Sequence, residues 1–221
     1  MRGVSFALCL AALPVAAQSP FPVDIGGPSA LTDQYGQART QAAPAGEAQR
    51  LFFGYANCLN ICSAALPLMG QMVDALAEGG MDVTPVMITV APDQDQVETM
   101  GAPLGVHHAD FIGLTGAADD LQAAYAAFNV EVEPLFEDPE YGWVYSHGSF
   151  IHLLDGDGEL MTLLPPILDV DRAVGIAAGY LAPAADGCCR RGRCPRPSGP
   201  PEFIRRDEGM DQRSSSLGVR P

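Results

Sequence analysis

A chain of 221 residues with 48% hydrophobic and 18% charged residues can bury one sizeable core, which excludes a disordered or fibrous chain. Its net charge of −15 is unevenly placed: residues 18–183 hold three arginines and 22 carboxylates, residues 184–221 eight arginines and five carboxylates, and lysine is absent. So acidic a body repels nucleic acid and anionic lipid, and it favours cations or basic partner surfaces.

Residues 1–17 have the layout of a secretory signal: Arg2, an apolar run, and the small-residue "VAA" before a cleavage point after Ala17. Pro14 interrupts a run shorter than the roughly 20 residues that span a bilayer. An uncleaved N-terminal anchor is the competing reading. Export to the periplasm puts the cysteines in an oxidising compartment, where a pair can cycle or bind metal.

Residues 18–49 read as an extended lead-in with a hairpin around "TDQYGQ". "RLFFGYA" is a buried strand. In "SAALPLMGQMVDALAEGG" the apolar residues Leu66, Met69, Met72, Val73, Leu76 and Ala77 have helical spacing, and Gly79-Gly80 stops the helix. "DVTPVMITV" is a second strand, "DQDQVETMG" a short helix with an acidic start, "DFIGLTG" a third strand and "AADDLQAAYAAFNV" a helix. The acidic, Pro-broken, aromatic "EVEPLFEDPEYGWVYSHG" reads as a surface loop or irregular hairpin. "SFIHLLDGDGELMTLL" is a hairpin turning at Asp155-Gly156-Asp157-Gly158, and "DVDRAVGIAAGYL" a closing helix with Asp169 or Asp171 near its start.

Strand–helix alternation ending in an antiparallel hairpin and a last helix implies an α/β mixed sheet covered on both faces. The thioredoxin-like fold has this layout, here with an N-terminal hairpin extension. The domain spans residues 18–183. Residues 184–221 change composition abruptly, show no periodicity and read as a disordered tail.

Cys58 and Cys62 stand at a strand-to-helix junction with three residues between them. There the helix dipole and unsatisfied N–H groups favour thiolate, the form needed for disulfide exchange and for metal ligation. Three readings stay open at this point: a static disulfide, a redox couple, or two arms of a soft-metal site with a third ligand. His147, just before the strand expected beside the cysteine loop, is the candidate third ligand. Two thiolates and an imidazole suit Cu(I).

Other candidates read as structural. His107 and His108 form a solvated loop pair, and His152 alternates away from its neighbours on the strand. Met69 and Met72 sit at core spacing, and Asp155 and Asp157 are turn residues without a calcium loop around them. Cys188, Cys189 and Cys194 lack the fourth ligand and folded support of a metal site.

"FGYANCLNICSAAL" resembles the F-G-Y-T-x-C-P-x-x-C-P signature of the Sco/SenC family of thioredoxin-like copper-binding proteins. "SALTDQYGQ", "VMITVAPDQD", "FIGLTGAADDLQAAYAAFNV" and "SHGSFIHLLDGDGEL" are similar to that family's opening hairpin, second strand, G-L-T-G helix segment and histidine segment, in the same order. Leu59, Ser63, Ser146 and Ala91 depart from the pattern, standing where the family carries two prolines and two aspartates. The resemblance implies copper, Cu(I) or Cu(II), on Cys58, Cys62 and His147. It also implies delivery of copper or reducing equivalents to the binuclear centre of cytochrome c oxidase, with the oxidase copper subunit or a second copper chaperone as partner. Metal-independent thiol-disulfide exchange by Cys58 and Cys62 is the alternative.

Overall fold

The computed structural model describes residues 25–56, 62–140 and 142–182, with only the backbone described for Cys62 and Ser63. The proposed signal at 1–17 and the tail with Cys188, Cys189 and Cys194 lie outside the described residues, as does Cys58.

The chain opens with a hairpin of β1 (Ala30–Asp33) and β2 (Ala38–Thr40). Its turn is built by buried Asp33, whose Oδ1 accepts from the N–H groups of Tyr35 and Gln37, both at 2.9 Å, while Oδ2 takes Arg39 Nε at 2.7 Å. This carboxylate closes the turn as a backbone carbonyl would. Gln34 then stitches the hairpin to the sheet, donating to Phe111 O at 2.7 Å and accepting from Gly113 N at 2.9 Å.

The middle strands are β3 (Ala48–Gly54), β4 (Val83–Thr89) and β5 (Ile112–Thr115), mutually parallel. Buried on both faces, they need continuous apolar runs, which "LFFG" and "VMI" supply. Helix α1 (Cys62–Glu78) joins β3 to β4. It stops at the expected glycines: Gly80 takes φ +73°, and Leu76 O accepts from both Gly79 N and Met81 N at 3.0 Å. The short α2 (Gly101–Gly105) precedes β5, and α3 (Ala118–Ala127) follows it.

Next come the two-stranded β6 (Glu133–Asp138) and β7 (Gly142–Ser146), then β8 (Ile151–Leu154), β9 (Leu160–Leu164) and α4 (Val170–Leu181). Asp155 Oδ1 closes the β8–β9 turn by accepting from Asp157 N at 3.0 Å and Glu159 N at 2.9 Å, which leaves it a turn residue. Asp169 caps α4, its side chain accepting from Arg172 N at 2.9 Å. The main sheet runs β2-β1-β5-β4-β3-β8-β9, with β8 antiparallel to β3. The mixed α/β architecture with its hairpin extension is therefore observed.

Strand alternation assigns the two faces. Phe52, Met87 and Gly113 are register partners across β3, β4 and β5. A Cβ on Gly113 would strike Leu104 of α2 and Met100, and one on Gly70 of α1 would strike the His107 carbonyl, so α1 and α2 cover this face together. Phe53 points to the other face, its ring 5.4 Å from that of Phe128 just beyond α3.

One element differs from expectation. "DQDQVETMG" forms turns, and α2 begins only at Gly101. Local side-chain bonds displace the helix: Thr99 Oγ1 accepts from Gln96 N at 2.9 Å and donates to Gln94 O at 3.1 Å, while Asp95 turns inward.

Candidate metal centre

The cysteine loop leaves the sheet through a hydrogen-bonded collar. Gly54 O accepts from Val90 N at 2.8 Å, holding the ends of β3 and β4 together. Two residues on, Ala56 N donates to Asp95 Oδ2 at 3.0 Å, and Thr89 Oγ1 donates to the same oxygen at 2.8 Å. Thr89 Oγ1 accepts in turn from Ala91 N at 3.0 Å, and Tyr125 OH donates to Thr89 O at 2.6 Å. Asp95 is 1% exposed. Buried carboxylates persist only where donors surround them, so Asp95 acts as the knot of this collar. Sequence reading missed it because an acidic residue after a strand looks like a helix start; no periodic signal marks a carboxylate turned inward.

Residues 57–61 follow, Cys58 among them, and lie outside the described residues. Cys62 is the first residue of α1, whose first turn carries no acidic residue. Its leading N–H groups therefore keep their positive potential, which favours a thiolate at that end.

His147, 85 residues downstream of Cys62, packs against the segment that precedes the cysteine loop. It follows β7 and is half-buried, with its ring edge-on to Phe52 at 5.8 Å and to Tyr55 at 6.2 Å. Both aromatics belong to the segment that runs into the cysteine loop. The ring's Nδ1 lies 2.9 Å from Gly148 O. A carbonyl only accepts, so Nδ1 donates this bond, and in the neutral tautomer it selects the lone pair falls on Nε2. Metal-binding imidazoles are commonly oriented in this way, by a backbone carbonyl on the other nitrogen.

The remaining histidines are placed elsewhere. His152 is buried edge-on to Phe53 at 5.7 Å and Phe128 at 5.4 Å, on the opposite face of β3 from the Phe52 ring that His147 meets. His108 accepts from Asp110 N at Nδ1 (3.1 Å), which puts its proton on Nε2, 3.2 Å from Asp74 Oδ1 of α1. His107 meets the Phe111 ring edge-on at 6.4 Å. This pair braces the loop after α2. Met69 and Met72 are fully buried core residues. Among the described residues no three His, Cys, Asp or Glu side chains gather as a metal site.

The β6–β7 hairpin flanks the His147 side of the collar. Tyr145 sets its ring 6.3 Å from Tyr55, and Gln94 Nε2 donates to Trp143 O at 2.9 Å.

The SCO1/SenC family model matches residues 17–182. The SCO2-like protein of Rickettsia felis is 31% identical over 142 residues, spanning 63% of this chain and 68% of that protein. Among solved structures, Arabidopsis thaliana ScoI with copper bound superposes with a TM-score of 0.66 at 25% identity, covering 71% of this chain and 97% of that one. Yeast Sco1 with copper bound gives 0.66 at 25% identity, over 74% of this chain and 92% of that one.

Proposed function

The chain belongs to the SCO1/SenC family, and from that premise we propose that Cys58, Cys62 and His147 form a copper site from which the metal is passed on during cytochrome c oxidase assembly. The observation that carries this reading is the placement of His147. Its imidazole is packed against the two aromatics that lead into the cysteine loop, with Nδ1–H committed to Gly148 O and the lone pair on Nε2. The donor set fits the cargo: thiolates and a neutral imidazole are soft to intermediate ligands, which Cu(I) prefers over oxygen. Solved relatives carry copper, which supports the same reading.

Each residue has a separate task. Cys62 opens α1 and supplies one sulfur, a helix N-terminus being a place that favours the thiolate form. Cys58 supplies the second sulfur from the loop that Asp95 tethers at Ala56. His147 supplies nitrogen from the far side, oriented by Gly148. Copper binding requires both sulfurs reduced and unprotonated, so thiol redox state gates loading. Residues 1–17 direct export and place this chemistry in the periplasm. No helix among the described residues is long and apolar enough to cross a membrane.

The position of Cys62 at the start of α1 also favours dithiol exchange without metal. One titration separates the two readings. Reduced wild-type protein, Cys58→Ser, Cys62→Ser and His147→Ala are titrated with Cu(I) against a competing chelator. Wild type binds one copper ion, and each variant loses affinity by at least about 100-fold, the upper range seen when only a supporting residue of a site is removed. Equal affinities across the set refute the copper site. Disulfide reduction that survives His147→Ala while no variant differs in copper affinity establishes the dithiol alternative.

A further inference from the structure

The β6–β7 hairpin stands apart from the main sheet as a two-stranded ribbon. Such ribbons are marginal alone, and this one is tethered by Tyr145 on Tyr55 and by Gln94 on the Trp143 carbonyl. Its pairing is Glu133 with Ser146, Pro134 with Tyr145, Phe136 with Val144, Glu137 with Trp143 and Asp138 with Gly142, with a bulge at Leu135. Paired residues share a face, so Tyr145 and Trp143 lie on the inner side, where Tyr145 meets Tyr55. The outer face is then Phe136 beside Val144, flanked by Glu133 at one end and Asp138 at the other. Phe136 is 55% exposed and the bulged Leu135 58%. All of β6 from Glu133 to Glu137 is open to solvent. β7 ends at Ser146, one residue before His147.

An apolar centre between carboxylates, on a hairpin whose second strand ends one residue before His147, is a surface built for contact. Its charge selects the occupant. Residues 131–140 contain Glu131, Glu133, Glu137, Asp138 and Glu140 and no basic residue. Among the described residues the arginines of a second copy do not complement it: Arg39 is paired with Asp33, Arg50 is buried, and Arg172 alone is exposed.

We propose that the outer face of the β6–β7 hairpin docks a copper-accepting protein whose matching surface is apolar and bordered by lysine or arginine. This rests on the copper reading of Cys58, Cys62 and His147. The carboxylates steer the encounter and set orientation, while Phe136 and Leu135 supply the desolvated contact. Docking there holds the acceptor on the hairpin whose second strand leads into His147.

The test follows transfer of Cu(I) from the loaded full chain to the purified copper-binding domain of cytochrome c oxidase from the same organism, at low and physiological salt. Phe136→Ser and Leu135→Ser leave Cu(I) affinity and circular dichroism unchanged and raise the acceptor concentration for half-maximal transfer about tenfold. Glu133→Lys flattens the fall of the wild-type rate with salt. Wild-type half-saturation and salt dependence in all three variants overturn the docking surface and leave the copper site standing. If wild type takes up no Cu(I), the copper site is refuted, and calorimetric binding of the metal-free chain to the same domain decides the docking alone. Weaker binding by Phe136→Ser then supports the surface, and equal binding overturns it. A wild-type dimer in sedimentation that Phe136→Ser makes monomeric assigns the face to a second copy and overturns the proposal.

Discussion

His147 and His152 stand five residues apart and reach opposite sides of β3, so the same side chain meets two different fates. His147 follows the end of β7, packs on Phe52 and Tyr55, and bonds the Gly148 carbonyl through Nδ1. His152 lies inside β8, opposite Leu51, and is walled in by Phe53 and Phe128; its Nδ1 has no hydrogen-bond partner among the described residues. Burial pushes its pKa down to about 4, against partial opposition from backbone hydrogen bonding. The unfolded chain, with an ordinary imidazole near 6.5, therefore takes up a proton first as pH falls. The contribution is fully present above about 6.5 and is lost as pH drops towards 4. His152→Leu removes that step. Urea denaturation at pH 7 and pH 4.5 is expected to show wild type losing roughly 2 kcal/mol more than the variant between the two. The alternation of β8 was legible in "FIHLL" and put His152 away from the site. That the ring is wholly enclosed depends on α3 and its Phe128, which no local pattern contains.

At the scale of elements, the collar made by the ends of β3 and β4 decides how the cysteine loop is presented. Ala91 removes the carboxylate that the family pattern carries at the end of the second strand, and Asp95 stands four residues further on with its oxygen on Ala56 N and Thr89 Oγ1. Truncating it leaves two buried donors without an acceptor. Asp95→Ala is expected to destabilise the fold by about 2 kcal/mol, and Asp95→Asn, which keeps an acceptor oxygen, by less. Chemical denaturation of both variants with unchanged m-value checks this. Identical midpoints for wild type and Asp95→Ala would show that the collar does not depend on this side chain. The expected acidic helix at "DQDQVETMG" was displaced for the same reason: helix propensity is a weak local preference, and a carboxylate drawn inward by two donors outweighs it. The long periodic elements behaved as their patterns require, α1 stopping at Gly79-Gly80 and α4 starting after its Asp169 cap.

At the scale of the whole molecule, a costly feature is Arg50. It lies on the Phe52 face of β3, fully buried, and all three guanidinium nitrogens lack hydrogen-bond partners among the described residues. Burial alone pushes its pKa down to about 9. An unpaired charge in a core is destabilising, and an unbranched apolar side chain of similar length removes the penalty. Arg50→Met is expected to raise stability by about 1–3 kcal/mol, or roughly 2–4 °C in Tm for each kcal/mol, measured by thermal unfolding. A lower Tm would show that the guanidinium is stabilised within the fold. The sequence by itself determined the order of strands and helices, the cysteine pair at a strand-to-helix junction and the acidity of the body, because periodicity, glycine stops and charge are local properties of the chain. Only the tertiary structure decided which histidine meets the end of β3, that Asp95 ties down the loop beyond it, and that Phe136 and Val144 form an outer face between carboxylates. Those outcomes depend on strand register and on contacts between residues tens of positions apart, and neither is written in any short stretch of sequence.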